Sequence, residues 1–263
     1  MFYAKTFIFD GIPSEFYDLY IGQFGGDGES TSDGSNDVDL LTEKLFRRPR
    51  PLFFGAEQTP VLEFPLSAYF KKEVSASKYS HVAGWLFGQQ EYKVLRVCQN
   101  DMQSTFFNCF FTEPSITRIG NMIQGFETKV VCDAPWGWGE PVDYSYSFTD
   151  INVSTKVTIY NGSDNAFYTY PTSLIINGNA FGGQIAIVNE TDNNRQFLYT
   201  TLLPYEQLVL NCDLQFISSS LTTYPLVNFN KQWLRLLRGK NTLAITGNVS
   251  SISMTLPMAV KVA

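Results

Sequence analysis

Apolar and polar residues alternate along much of this chain with a period of two, the spacing of a half-buried strand. In "FYAKTFIFDGI" Phe7 and Phe9 fall on one face and Ile8 on the other, which predicts an opening strand. "TPVLEFPLSAYF" alternates in the same way, and "YKVLRVC", "TFFNCFFTEPS" and "FETKVVCDAPWGW" are further strand-like runs. One segment departs from the period. From Ser77 onward, Tyr79, Val82, Ala83 and Leu86 recur at i, i+3, i+4 and i+7, the spacing of one helical face. Ser77 is the predicted N-cap and Gly88 the C′ stop, while Gly84 weakens the interior by about 1 kcal/mol relative to Ala. The N-terminal half therefore reads as an α+β unit, a sheet with one helix near 77–88.

After Trp138 the texture changes. "VSTKVTIYNGS", "TSLIING", "GQIAIVNETDNNRQFLYT", "EQLVLNCD", "NTLAITG" and "SISMTL" are short apolar runs bounded by Asn, Gly and Asp. Asn161-Gly162 and Asn177-Gly178 are turn signals, and "ETDNN" is placed to close a hairpin between Ile187 and Phe197. Short strands with turns every ten or so residues predict a β-sandwich. The stretch "WLRLLRGKNTLAITG" (Trp233–Gly247) is compatible with a basic amphipathic helix or with two strands around a tight turn. Its β-rich surroundings favour strands, with a turn at Gly239-Lys240-Asn241 and with Trp233 and the leucines in the core. The chain is thus expected to be mainly β, with one domain over 1–140 and a second over 141–263.

Composition agrees. The 263 residues are 44% hydrophobic, 15% aromatic and 17% charged, which fits a packed globular protein rich in strands. The net charge is −6. Residues 143–263 hold 7 acids and 7 bases, so the whole imbalance lies earlier, where 18 acids face 12 bases. Such a field disfavours binding to a phosphate backbone. No basic leader or long apolar run is present, so neither a signal peptide nor a membrane span is expected. Cys98, Cys109, Cys132 and Cys212 show no CxxC spacing and are read as reduced thiols. The Asn-x-Ser/Thr triplets at Asn152, Asn161, Asn189 and Asn248 then carry no glycosylation meaning.

Catalytic chemistry is hard to assemble. His81 is the only histidine available as base to a Ser-His-Asp or Cys-His arrangement. It sits within the predicted helix, where a lone His is far more often a surface or packing residue, and a single His removes most zinc-site options. Glu113, Glu127, Asp133 and Glu140 are available carboxylates, but nothing pairs them as glycoside hydrolysis requires. The segment Gly25–Asp39 has five acids, no bases and almost no apolar residue, and reads as a loop. Its "DGSNDVDLLTEK" fails the EF-hand pattern, with Val38 at the glycine position and Lys44 at position 12. "GQFGGDG" (Gly22–Gly28) has the glycines of a phosphate loop but neither its Lys-Ser/Thr pair nor a tolerable charge. No catalytic, cofactor-binding or metal-binding residues are assigned. "LFRRPRPLFFG" is basic, Pro-broken and expected to be extended. Trp136, Trp138, Tyr144, Tyr146 and Phe148 crowd into "APWGWGEPVDYSYSF". They suit either a glycan-stacking platform or, given the Pro, Gly and change of texture, a buried domain junction.

The order of these pieces resembles the distal tail protein (Dit) family of long-tailed, non-contractile bacteriophages. The likeness rests on "FIFDGIPSEFYDLYI", "AGWLFGQQEYKVLRV", "GFETKVVCDAPWGWGE", "VTIYNGSDNAFYTYPTSLIING" and "NKQWLRLLRGKNTLAITG", the last matching Trp-x-x-Leu-x-x-Gly-x-Asn-x-Leu. Arg238 stands where the family often has Pro, and the acidic loop matches no family pattern. The resemblance implies a structural virion protein at the distal end of the tail, assembled in the host cytoplasm, with no enzymatic activity and no cofactor. It implies an N-terminal split-barrel-like domain forming a hexameric ring and a C-terminal galectin-like sandwich. The implied partners are copies of itself, the tail tube protein, the tail-tip or fibre protein, and also the tape-measure and receptor-binding proteins. DNA would pass the channel without specific binding, and an acidic N-terminal half suits that role, although the acidic loop alone supplies most of the imbalance. The alternative is a carbohydrate-binding sandwich contacting host-surface glycans.

Overall fold

The computed structural model describes residues 4–22, 38–58, 61–99, 103–149, 152–165 and 167–261. They form two compact units, one running to Trp138 and taking in Lys261, the other spanning Gly139–Val260. The fold is mainly β.

The first unit contains β1 (Phe7–Phe9), β2 (Ile12–Pro13), β3 (Leu19–Ile21), β4 (Val38–Glu43), β5 (Leu52–Gln58), β6 (Glu63–Val74), α1 (Ala76–Phe87), β7 (Lys93–Val97), β8 (Phe107–Ile119) and β9 (Met122–Cys132). Seven strands make one sheet in the order β2-β1-β7-β8-β9-β6-β3. The sheet curls far enough for Ile21 N–H to donate to the carbonyl of Lys5, just before β1 (2.9 Å). The alternation predicted for β6 is what buries Phe64, Leu66, Ala68 and Phe70 on one face. Phe7 and Phe9 share a face and are fully buried.

The helix starts earlier than its pattern predicts. Ser75 is the N-cap, extended at φ −70°, ψ 160°, and its hydroxyl accepts from Lys78 N–H at 3.4 Å. Ser77 already lies inside the helix. Its buried face is Tyr79, Val82, Trp85 and Leu86, so Trp85 joins the stripe and Ala83 sits at its margin. Gly88 does end the helix, but at φ −86° rather than in the left-handed region. Its glycine is explained by crowding, since a Cβ there would lie 2.5 Å from the Gly84 carbonyl oxygen.

Strands β4 and β5 pair only with each other, as a separate two-stranded sheet. Residues 23–37, which include most of the predicted acidic loop and of the glycine-rich segment and the first five positions of the failed calcium pattern, lie outside the described residues. Val38 and Asp39, expected to end that loop, begin β4.

The second unit holds most of β10 (Gly137–Ser147), then β11 (Val153–Asn161), β12 (Tyr168–Thr169), β13 (Ser173–Gly178), β14 (Gly183–Asn189), β15 (Arg195–Leu202), β16 (Gln207–Asn211), β17 (Phe216–Ser219), β18 (Leu236–Leu237), β19 (Gly239–Gly247) and β20 (Val249–Val260). A five-stranded sheet, β10-β20-β13-β16-β17, and a four-stranded sheet, β11-β19-β14-β15, contribute to one core. The β14–β15 hairpin closes as predicted, with Ile187 opposite Phe197.

The other turn signals act differently. Asn177-Gly178 ends β13 at a register shift against β20, and the following residues cross to the other sheet. Asn161-Gly162 likewise ends β11, whose partner β19 is remote in sequence. Gly239-Lys240-Asn241 is not a turn between paired strands: all three belong to β19 and lie opposite Asn161, Tyr160 and Ile159. The preceding Leu236 and Leu237 pair instead with β12. At φ +88°, Gly239 changes the chain's direction, so β18 leaves the line of β19 instead of folding back on it.

Candidate functional site

None of the residues considered for catalysis is brought into a catalytic arrangement. His81 is exposed on α1. Glu113 and Glu127 are exposed on adjoining strands, with Ser115 rather than Glu113 opposite Glu127, and Glu140 is exposed on β10. Asp133 is spoken for: its carboxylate accepts from the Asn108 amide (2.9 Å) and from the Trp138 indole (3.0 Å). Among the described residues no three His, Cys, Asp or Glu side chains are grouped to hold a metal ion, and no helix is long and apolar enough to cross a membrane. Cys109, Cys132 and Cys212 are buried. Burial pushes all three thiols up, Cys132 and Cys212 to about 12, which removes the thiolate that nucleophilic chemistry needs.

The aromatic cluster around Trp138 is committed to structure. Trp136 and Trp138 meet edge-on at 6.0 Å, and the Trp138 backbone bridges to Phe106 through bonds of 2.7 and 2.8 Å. Tyr144, Tyr146 and Phe148 pack against the sandwich core. The Tyr144 hydroxyl donates to the carbonyl of Tyr160 (2.7 Å), and that of Tyr146 to the carbonyl of Thr158 (3.2 Å). Both acceptors lie on β11, the outer strand of its sheet, so the phenols occupy backbone oxygens that would otherwise stand open at an edge.

What the fold does assemble is a pinned segment at residues 233–241. Trp233, Leu234 and Leu236 insert into the sandwich core. Between them, Arg235 turns to Asp192 in a two-pronged pair, Nε to Oδ2 at 2.7 Å and Nη2 to Oδ1 at 3.2 Å. Asp192 is only 4% exposed at its side chain. The guanidinium also lies 3.5 Å from the centre of the Tyr168 ring. The hydrogen bonds to Asp192 raise the Arg235 pKa above its ordinary value, so this charge is permanent. Arg195 Nε donates to the carbonyl of Trp233 at 3.2 Å, holding the start of the same segment.

Three buried asparagines complete the pin. Asn241 accepts from Leu237 N–H (2.9 Å) and donates to the carbonyls of Leu237 (2.7 Å) and Gly239 (3.1 Å). Asn189 donates to the carbonyl of Arg235 (3.0 Å) and to the Asn241 side chain (3.1 Å). Asn161 donates to the carbonyl of Leu237 (3.2 Å). A two-residue strand cannot satisfy its backbone through ladders alone, and buried amides supply what is missing. This accounts physically for Trp-x-x-Leu-x-x-Gly-x-Asn-x-Leu. Trp233, Leu236 and Leu243 fill the core, Gly239 takes the positive φ, and Asn241 ties the backbone. Two of the four asparagines set aside as glycosylation triplets, Asn161 and Asn189, belong to this network, and sequence spacing alone gave no sign of it.

A second polar knot lies where β15 meets β16. Glu206 is fully buried, and its carboxylate accepts from Leu203 N–H (2.7 Å) and from the Ser219 hydroxyl. Both arrangements use buried polar groups to hold backbone and side chains in place.

The family model for a phage tail protein N-terminal domain matches residues 2–134, and that for a phage tail C-terminal domain matches residues 136–256. No curated protein matches the chain. Among solved structures, the Dit (gp 19.1) protein of phage SPP1, described as a paradigm of hub adsorption apparatus in Gram-positive infecting phages, is similar at TM-score 0.70 and 11% identity. That likeness covers 96% of this chain and 98% of the SPP1 chain. A chain of the phage P2 baseplate in its activated conformation with Ca is similar at TM-score 0.52 and 8% identity, covering 94% of this chain and 92% of that one. At such identities the likeness is one of fold.

Proposed function

We propose, from the premise that the chain belongs to the phage tail protein family, that it is a distal tail component whose copies form a hexameric ring joining the tail tube to the tip and host-binding apparatus. One observation carries the reading: a single known structure, the SPP1 Dit protein, parallels both units in order over nearly the whole of each chain. The residue chemistry is in keeping with it, since the buried polar groups of the second unit tie backbone to backbone and present no reactive centre. In this reading the first unit builds the ring, and the second, galectin-like unit offers attachment to tip, fibre or receptor-binding proteins. The protein performs no catalysis. DNA passes the ring without specific binding. The five aromatics that suggested a glycan platform are engaged in packing or backbone bonds, so no observation favours the carbohydrate-binding alternative.

The test is electron microscopy of tails carrying a tagged copy of this chain. Six tags in a ring at the end remote from the head are expected. Tags spread along the tube, or a tail assembled without the chain, would overturn the proposal.

A further inference from the structure

The β8–β9 ladder sets Cys109 directly opposite Cys132. Both are free thiols, fully buried in one core, on the face that also carries Phe107, Phe111 and Val130. The hydrogen bonds around them fix the kind of pair they make. Asp133 N–H donates to the carbonyl of Asn108 (2.9 Å), so the neighbouring pair is the hydrogen-bonded one. Cys132 N–H turns away from β8 and donates to the carbonyl of Leu62 (2.9 Å). Cys109 and Cys132 are therefore a non-hydrogen-bonded pair, the closer of the two kinds, with Cα atoms about 4.5 Å apart. That lies within the span of roughly 4.4–6.8 Å over which a disulfide closes. Cβ atoms directly opposite each other stand about 4.5–5.5 Å apart, nearest in pairs of this kind, so closure asks for a shift of about an ångström or less.

The other cysteines are placed differently. Cys98 is exposed after β7, and its N–H donates to the carbonyl of Thr6 (3.0 Å). Cys212 follows β16 in the second unit, and its N–H donates to the carbonyl of Pro171 (3.0 Å). Burial first, then the nearness of Cys132, raises the Cys109 thiol, so the two sulfurs sense each other. Among the described residues no third His, Cys, Asp or Glu is grouped with them to hold a metal ion. Two cysteines serving only as small apolar groups could stand anywhere on that face. These stand in the one register that permits a bond.

We infer that Cys109 and Cys132 form a reversible cross-strand disulfide, a covalent latch between β8 and β9 that closes when a soluble small-molecule disulfide meets the folded chain. Tail proteins fold inside the host cell, where thiols are kept reduced, and act outside it, where disulfides persist. The thiolate of one cysteine attacks a sulfur of the reagent RSSR, whose S–S bond breaks and releases RS⁻. The thiolate of the other cysteine then attacks the protein sulfur of that mixed disulfide, forms the Cys109–Cys132 bond and releases the second RS⁻. The two cysteine sulfurs are oxidised, the two reagent sulfurs are reduced, and the two cysteine protons end on two RSH. Only a thiolate attacks, and burial keeps both thiols neutral, so the exchange is slow and waits on local opening of that end of the hairpin. Once made, the bond joins β9 to the middle strand of the seven-stranded sheet, under the helix α1 that packs on both. The inference needs only the β8–β9 register and does not depend on the ring reading.

The experiment uses the full-length chain carrying Cys98→Ser, which removes the exposed thiol as a competing target. It is incubated with oxidised glutathione at about pH 8.5, where an opened thiol is half ionised. Denaturant is held just below the unfolding transition so that strand ends open. The expected product is two hydrogen atoms lighter, yields a linked peptide pair holding Cys109 and Cys132, and leaves only Cys212 to take an alkylating label after unfolding. Oxidation should lower the unfolding constant of the first unit about a hundredfold, read as a higher denaturant midpoint, and dithiothreitol should reverse it. Cys132→Ala in the same background should gain no stability from the treatment. The inference is overturned if both thiols still take the label, if glutathione remains on either, or if the bond runs to Cys212 or to a second chain. An unmoved midpoint, or equal stabilisation of Cys132→Ala, overturns it too. Should that variant fail to fold, the peptide map and the midpoint decide.

Discussion

The core of the first unit is built of rings, and that of the second of branched aliphatics tied by amides. In the first, Trp85 stacks on Phe7 (6.0 Å, 2° between planes), meets Tyr17 at 5.0 Å, and donates its indole N–H to the carbonyl of Phe9 at 3.2 Å. Phe9 meets Phe111 edge-on at 4.8 Å, and Phe87 meets Phe126 at 5.8 Å. In the second, Ile159, Ile176, Ile187, Leu210 and Leu243 dominate. Buried polar residues follow the opposite distribution: the first unit buries Ser14, Thr105 and Thr128, the second Asn161, Ser163, Thr169, Asn189, Asp192, Glu206 and Asn241. Ring geometry fixes the angle of one helix on one curled sheet. Aliphatic packing is less directional, so the irregular connections of the sandwich are positioned by hydrogen bonds instead.

That contrast can be broken first where one side chain carries most. Trp85→Ala removes the central ring and its bond to Phe9, and should cost about 3–5 kcal/mol in denaturant unfolding. Amide exchange should lose protection in β1 and α1 before β14 and β19. A loss below about 1 kcal/mol would show that the rings are interchangeable filler. In the second unit, Asn241→Leu keeps the branched shape but takes the side-chain partner from the Leu237 amide and the Gly239 carbonyl, at about 2–4 kcal/mol by the cost of unpaired buried groups. Equal stability of the variant would mean that shape alone positions β18.

Alkaline titration sharpens the contrast more gently. The unfolded thiols ionise near their ordinary value of 9.0, while burial holds Cys132 and Cys212 neutral up to about 12 and pushes Cys109 upward too. The folded state thus keeps protons that the unfolded state releases. The stabilisation is complete below about pH 9 and falls as pH rises towards about 12, by up to about 1.4 kcal/mol per pH unit for each thiol. Two of the three lie in the first unit, so Cys132→Ala leaves Cys109 to keep part of that unit's alkaline limb, whereas Cys212→Ala removes the one such thiol of the second unit and should flatten its limb more visibly. The smallest effect is a gain. Gly84 has open space where a Cβ would stand, and Gly84→Ala should raise the thermal midpoint through about 0.5–1 kcal/mol of helix propensity. An unchanged midpoint would show that the helix is held by its rings alone.

Sequence periodicity reveals strands whose two faces differ. β1, β6 and the β14–β15 hairpin can be read from it, because burying one face leaves a period of two. It does not reveal β18, whose two residues are too few for a period, or β10, whose Trp and Tyr positions look like a binding surface until their hydrogen bonds are seen. The N-cap is shifted by two because Ser75 and Ser77 are chemically alike and only backbone geometry separates them. The Asn189–Asn241 network is invisible in the sequence for a different reason. Residues fifty-two positions apart meet through a sheet order that local patterns do not encode.

The phenols of Tyr144 and Tyr146 bear on whether β11 can take on a strand from another chain. Zipper-like growth begins when an incoming strand finds unclaimed acceptors along a border. Here two acceptors along that border are already claimed from within, which disfavours pairing with a foreign strand there.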